Sequence, residues 1–381
     1  MSCAIVKIAF YAPLKAPDHP VPSGDRAIAR ALLDALTLAG HDVTLASRLR
    51  SFDAHGDACR QARLAHIGER AARRLVARFR RGKSPDLWFT YHLHHKAPDH
   101  VGPAVRRALR IPYIVAEASI APRQRDGPWA VGYTASYAAI RAADNVVFVN
   151  PADVAQVRNA RGDGAPFAML APFIDVARFA GADARPRRSA DAPPRLVTVA
   201  MMRDGAKLAS YRLLAAALAR IADVAFTLTI VGDGPARPEV EAAFAPIAQR
   251  VTYAGVLPPN DIATRLCDSD LFVWPAVDEA IGIAFIEAQA CGLPVVGADT
   301  PGVASVVAVN RTGLLAPPRD ADAFAHAVRR LVVDKALRER LAAEAFRYVR
   351  MHHDLSSAAR QLDTIVRDTA ARHGRAALLP C

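Results

Sequence analysis

Two carboxylates, Glu279 and Glu287, lie eight residues apart around a glycine, Gly282, in the stretch Glu279 to Val296 (EAIGIAFIEAQACGLPVV). Pro275 closes the apolar run before them, and the pattern after Gly282 turns helical, so Glu279 is expected in a loop and Glu287 inside a helix. At about 1.5 Å per residue, Glu287 would sit roughly 7.5 Å along from Gly282. Backbone amides of Gly282, Ile283 and Ala284 would then point out of a helix N-terminus, whose partial positive charge suits a diphosphate. Gly282 would let a ligand approach the backbone. A carboxylate has two acceptor oxygens, which suits it to a vicinal diol such as that of a ribose or a hexose. The stretch therefore offers carboxylates for two sugars and donors for the phosphates between them. The plainer alternative is a helix with one solvated and one capping glutamate.

Further chemistry-bearing residues lie upstream. The run RLVTVA reads as a strand, and MMRDGAKLASYRLLAAAL after it carries Arg203 and Lys207 near a helix start. Hydrogen bonds from such cations to a diphosphate contribute about 1.5–3 kcal/mol each, and their charge would stabilise a departing nucleoside diphosphate. IVGDGP, with Gly232, reads as a strand and glycine turn. It is not a full dinucleotide fingerprint, because Arg237 stands where the third glycine would be.

YHLHHKAPDH (91–100) follows a strand end and holds four histidines. Their spacing matches no standard metal site and no cysteine is near, so a contact of His92 or His94 with a substrate is expected in place of a metal. The segment 60–83 is strongly basic. Leu64, Ile67, Ala71, Leu75 and Phe79 form an apolar stripe flanked by arginines, which could lie on anionic lipid or pack on a sheet with the arginines solvated.

The elements that must position these residues alternate strand and helix. Strand patterns at 5–11, 41–47, 86–91, 113–118 and 145–149 are followed by a stretch rich in Gly, Pro, Asp and Arg, with a linker expected at about 181–194. The alternation restarts at 195 and ends in helical patterns near 321–332, 335–350 and 355–373. Strands alternating with helices imply parallel, doubly wound sheets covered on both faces, with ligands at the carboxyl ends of the strands. An N-terminal domain over 1–185, a second over 186–353 and a closing helix in 354–381 that returns to the first domain are expected.

The chain has 381 residues, 52% of them hydrophobic, enough to bury two cores. No apolar run approaches the roughly 18–20 residues of a membrane span, and the N-terminus reads as a strand without a signal peptide. Five scattered cysteines without a CxxC pair fit a reducing cytosol. The net charge of +12 is concentrated: residues 1–190 hold 28 Lys+Arg against 16 Asp+Glu, and the rest hold 21 of each. The first half could meet an anionic partner, or its arginines could simply be solvated. Nucleic acid is disfavoured, because Glu279 and Glu287 would repel phosphates and aromatics amount to only 7%.

Glu279, Glu287, Ala288, Ala290, Gly292, Pro294, Val295 and Val296 stand in the order of a known hallmark, a Glu, seven residues, a second Glu, then Ala-x-Ala-x-Gly-x-Pro-Val-Val. In this the chain resembles the family-four (group one) retaining glycosyltransferases, with the GT-B fold of two Rossmann-like domains facing a central cleft. The resemblance implies a retaining transfer of a hexose from a nucleoside-diphosphate sugar to a hydroxyl acceptor, usually without a metal or other cofactor. It implies that Glu279 holds the donor hexose, Glu287 the ribose, and Arg203, Lys207 and the amides near Gly282 the diphosphate. It places Gly232 in a turn near the donor, and Val256 and Leu257 of YAGVLPP at the base. The family's glycine-rich loop after the first strand corresponds to PSGDR, which puts Gly24 and Arg26 on the acceptor side. Relatives often carry a histidine after the strand YIVAEA; here Glu117 and Ser119 stand there, and Glu117 becomes a candidate to orient or deprotonate the acceptor hydroxyl. Some relatives glycosylate lipid-linked acceptors, so 60–83 could contact the inner membrane face of the cytoplasm. A nucleotide-sugar epimerase or phosphorylase of the same fold is the alternative.

Overall fold

The computed structural model describes residues 5–21, 23–162, 164–179, 192–279 and 281–376. The expected linker at 181–194 falls largely on 180–191, outside the described residues. Two compact units result: residues 1–170 with 355–381, and residues 171–354.

In the first unit β1 (Lys7–Tyr11), β2 (Asp42–Ser47), β3 (Leu87–Leu93), β4 (Tyr113–Ala118), β5 (Asn145–Phe148) and β6 (Phe167–Met169) alternate with α1 (Gly24–Leu38), α2 (Ala58–Arg81), α3 (Gly102–Leu109), α4 (Ala130–Ala142) and α5 (Val154–Arg161). The sheet is parallel, in the order β2-β1-β3-β4-β5-β6. Ile8, Ala9, Phe10 and Tyr11 of β1 are all inaccessible, as a parallel strand covered on both faces requires. Ser23 caps α1 by accepting from the Arg26 amide at 3.2 Å. The order reverses between β1 and β3, so the crevice for a ligand opens at the carboxyl ends of those two strands.

The second unit repeats the plan. β7 (Arg195–Val199), β8 (Thr227–Val231), β9 (Val251–Gly255), β10 (Leu271–Val273), β11 (Val295–Ala298) and β12 (Gly313–Ala316) form a parallel sheet in the order β12-β11-β10-β7-β8-β9. Its helices are α6 (Ala206–Ala219), α7 (Arg237–Phe244), α8 (Pro259–Cys267), α9 (Ile283–Ala290), α10 (Pro301–Ala304), α11 (Ala321–Val333) and α12 (Lys335–His352). Asp320 and Asp334 cap α11 and α12 through the amides of Ala323 and Leu337, at 2.9 and 2.8 Å. Here the order reverses between β7 and β10. The last helix, α13 (Leu355–Ala376), belongs to the first unit: it packs on α1, and Thr369 accepts from the Asn145 side chain at 3.0 Å.

The apolar stripe of α2 is spent on the fold. Leu75 and Phe79 are buried, Leu64 and Ala71 half-buried, and only Ile67 is exposed, while Arg63, Arg70, Arg73, Arg74, Arg78, Arg80 and Arg81 are all exposed. Among the described residues no helix is long and apolar enough to cross a membrane.

Candidate functional site

At the reversal point of the second unit the loop after β10 meets the start of α6. Lys207 Nζ lies 2.6 Å from Glu279 Oε2, both groups half-buried. The ammonium also sits 5.6 Å above the ring of Trp274, the residue that follows β10. Trp274 is buried, held edge-on by Tyr211 at 4.9 Å, and the Tyr211 hydroxyl donates to the Ala200 carbonyl at 2.6 Å. Tyr211 stands four residues after Lys207 on α6, one turn along the same face. A lysine has three donors, so Lys207 can hold Glu279 and still turn N–H groups to an anion.

The loop carrying Glu279 is tightly specified. The Val277 amide donates to the buried Ser210 hydroxyl at 2.9 Å. Ala276 and Asp278 both have φ 53°, a left-handed conformation that costs of order 1–3 kcal/mol in a non-glycine residue. Strain of this kind collects where backbone geometry serves a ligand. Arg203 precedes α6 with its side chain exposed.

Gly282 is the N-cap of α9 at φ 73°, and no side chain caps the helix. The first amides, of Ile283 and Ala284, are therefore left to an external acceptor, and the end is suited to phosphate oxygens. A Cβ on Gly282 would come within 3.2 Å of Val306 Cγ2, so shape as well as φ calls for glycine. Glu287 follows on the second turn of α9, partly accessible at its surface. Burial, opposed by the Arg178 guanidinium, pushes its carboxyl up to about 7. Asp175 holds Arg178 at 3.4 Å.

The glycine turn after β8 has a structural cause independent of any ligand. Gly232 has φ 135°, and a side chain there would run into the Ala200 carbonyl; Gly234, at φ 155°, faces the Met202 carbonyl in the same way. The Met202 amide donates to the Asp233 carbonyl at 3.0 Å, which fastens this turn to the loop before Arg203. Val256 is 79% exposed after β9, and Leu257 packs against the core beside it.

In the first unit the equivalent reversal point brings α1 to β3. His92 Nδ1 lies 2.9 Å from Asp25 Oδ1. His92 (φ 60°) and Glu117 (φ 56°) are both left-handed, and the β3–β4 register passes from Tyr91–Ala116 to Leu93–Ala118 with these two left between. Burial raises the Glu117 carboxyl above its usual range, and its Oε1 accepts from the Val149 amide at 3.1 Å, so this group already braces the end of β5. His94 is neutral: burial pushes it down to about 3, and its Nδ1 accepts from the Lys96 amide at 3.2 Å. Gly24 is the first residue of α1, with nothing within 4 Å of where its Cβ would be. Arg26 turns back to the Pro17 carbonyl at 3.4 Å. Among the described residues no cluster of three or more His, Cys, Asp or Glu side chains is arranged to hold a metal.

The structure thus brings Lys207 and Glu279 into contact and sets Gly282, Ile283, Ala284 and Glu287 in sequence along α9. It draws in residues the sequence reading did not single out as ligands: Asp25, Arg178, Tyr211 and Trp274. Only Tyr211 carried a local signal, its spacing of four from Lys207.

Two parallel doubly wound sheets, one with a cation–carboxylate pair and an open helix N-terminus at its carboxyl edge, define the GT-B class. Residues 193–334 match the family model described as "Glycosyl transferases group 1". Alpha-D-kanosaminyltransferase of Streptomyces kanamyceticus is 35% identical over 141 residues, 36% of this chain and 36% of that one. A GDP-mannose-dependent alpha-(1-6)-phosphatidylinositol monomannoside mannosyltransferase of Mycobacterium tuberculosis is 28% identical over 244 residues, 60% of this chain and 63% of the relative. The matches thus span less than two thirds of either relative's length. Sucrose-phosphate synthase of Thermosynechococcus elongatus has the same fold, with TM-score 0.71 at 20% identity over 96% of this chain and 100% of that one.

Proposed function

We propose that the chain is a retaining glycosyltransferase that moves a hexose from a nucleoside-diphosphate sugar to a hydroxyl acceptor. The observation that carries the reading is the contact of Lys207 with Glu279 at the reversal point of the second sheet, one strand end away from the uncapped helix bearing Glu287. Glu279 accepts from hydroxyls of the hexose and Glu287 from the ribose diol. Lys207, Arg203 and the amides of Ile283 and Ala284 hold the diphosphate, and Val256 and Leu257 flank the base. As the acceptor oxygen bonds to C1, the bond from C1 to the diphosphate breaks and its electron pair leaves on a phosphate oxygen. Lys207 and the helix end supply positive charge to stabilise that growing charge. These residues account for the diphosphate's charge without a metal, so transfer is expected to survive a chelator.

The relatives' names support this class of reaction, one of them naming GDP-mannose as donor. The test is incubation with UDP- and GDP-hexoses and a mixture of hydroxyl acceptors, followed by NMR of the anomeric proton. A glycoside with the donor's anomeric configuration supports the reading. Isomerised sugar without acceptor, or turnover that needs inorganic phosphate, replaces it with an epimerase or a phosphorylase.

The exposed arginines of α2 flank a groove lined by Glu69, Arg73, Val76, Arg80, Ala104 and Ala108, among others. This face is proposed to touch the anionic inner surface of the membrane from the cytoplasm. Co-sedimentation with phosphatidylglycerol vesicles, absent with phosphatidylcholine and lost at high salt, is the expected result.

A further inference from the structure

Two sulfurs of the second unit meet at the far ends of neighbouring helices. Cys267 is the last residue of α8, and Cys291 follows the last residue of α9. The two helices pack on each other, and the Cys267 thiol donates to Cys291 Sγ at 2.8 Å. The Cys291 thiol in turn donates to the Ala263 carbonyl at 3.6 Å. Ala263 and Cys267 are four apart on one face of α8, so the Cys291 sulfur rests across the last turn of that helix. Both residues are held by their backbones. The Cys291 amide donates to the Glu287 and Ala288 carbonyls at 3.3 and 3.1 Å, and next to Cys267 the Asp268 amide closes α8 on the Thr264 carbonyl at 2.9 Å. Access differs between the two: Cys267 is half-buried and Cys291 is buried.

We propose that Cys267 and Cys291 form a reversible disulfide in response to a hydroperoxide, and that the bond clasps the segment between them. The Cys267 thiolate attacks one peroxide oxygen, the O–O bond breaks, water leaves and the sulfur becomes a sulfenic acid. The Cys291 sulfur then attacks Cys267 Sγ, the S–S bond forms, the S–O bond breaks and a second water leaves. The two thiols give up two electrons and two protons, and the peroxide takes both and becomes two waters. A dithiol reductant reverses the reaction by exchange. The more accessible sulfur thus meets the oxidant and the buried one resolves it. The partners are 24 positions apart, and the ring they close holds β10, Glu279, Gly282 and all of α9. A cross-link restricts an opened chain more than a folded one, so the bond makes local opening of this segment rarer. Oxidation therefore guards the Glu279 loop and the head of α9, whichever ligand they hold.

The test treats the full chain with hydrogen peroxide and takes Cys59, which is exposed, as the gauge that oxidation has occurred. Peptide mass spectrometry without reductant should find the Cys267 and Cys291 peptides joined and together lighter by two hydrogens, and dithiothreitol should part them. Hydrogen exchange of the protected amides within 268–290 should slow about 30-fold on oxidation and recover with dithiothreitol. Cys267→Ser and Cys291→Ala, under the same peroxide, should lose both the link and the slowing. The half-buried site of Cys267 takes a serine readily, so one control folds even if the buried Cys291 tolerates no change. Oxidation of Cys59 with Cys267 and Cys291 left as thiols, or carried to sulfinic acid without a link, overturns the proposal. A joined pair whose segment exchanges as fast as in the reduced chain overturns the clasp.

Discussion

Glu287 makes a quantitative prediction about pH. Its carboxyl is raised from an ordinary 4.5 to about 7 by burial. A folded-state value above the unfolded one favours the folded chain fully below about 4.5, and that contribution is lost as pH rises through about 7. The rise from 4.5 to about 7, at about 1.4 kcal/mol per tenfold, amounts to about 3.5 kcal/mol carried as a penalty once the group is ionised. Glu287→Gln has no such group. The variant should match wild type near pH 4 and exceed it by about 3 kcal/mol at pH 8, by urea unfolding at several pH values. Binding supplies the other half. A ribose diol donates two hydrogen bonds, which the ionised carboxylate accepts better, so affinity for a nucleotide sugar should rise from pH 6 to 8 in wild type and stay flat and weaker in Glu287→Gln. A nucleotide sugar is the right ligand, because its esterified phosphates do not titrate in that range. Parallel stability curves for the two proteins across pH 5–8 would refute the account of Glu287.

Four other changes follow from the geometry. Lys207→Met should weaken nucleoside-diphosphate binding about 10- to 100-fold, measured by calorimetry, since a hydrogen bond to a charged group contributes about 1.5–3 kcal/mol. Gly232→Ala should cost several kcal/mol or prevent folding, because φ 135° and the Ala200 carbonyl both exclude a Cβ, whereas Gly24→Ala should change stability by no more than about 0.5 kcal/mol. Asp99 is 2% exposed and accepts from Thr90, Tyr113 and the amides of Val101 and Gly102, so Asp99→Ala should lower stability by about 3 kcal/mol or more in thermal unfolding.

Much of the fold was legible because its signals are local. Apolar runs such as RLVTVA and YIVAEA match β7 and β4 to within a residue, and Ser23 and Gly40 bracket α1 as cap and stop. The edge strands β6 and β12 escaped notice: they span three and four residues, too few to show a period, and Phe167 and Met169 of β6 are exposed. The chemistry of the second unit was readable in outline, since Glu279, Gly282 and Glu287 sit in one stretch. The contacts that give it meaning join residues far apart in the chain. Lys207 and Glu279 are 72 positions apart, and Asp25 meets His92 only because β3 crosses to lie beside β1. PSGDR drew attention to Gly24 and Arg26, yet the residue between them makes the contact. The histidine-rich run likewise divides only in three dimensions: His92 faces Asp25, His94 is locked to the Lys96 amide, and Asp99 anchors α3. The five cysteines looked scattered, but Cys267 and Cys291 bring their sulfurs to 2.8 Å where α8 and α9 end.

The central claim is that the second unit holds a nucleoside diphosphate between Lys207 and the head of α9. Its most direct test is the melting temperature of the chain with UDP, GDP, ADP and TDP, each at about 100 times a fitted dissociation constant, where binding adds about 2.7 kcal/mol of stability. The account predicts a clear rise with at least one of them, sharply reduced in Lys207→Met and in Gly282→Val. No rise with any of the four, or an equal rise in both variants, would contradict it.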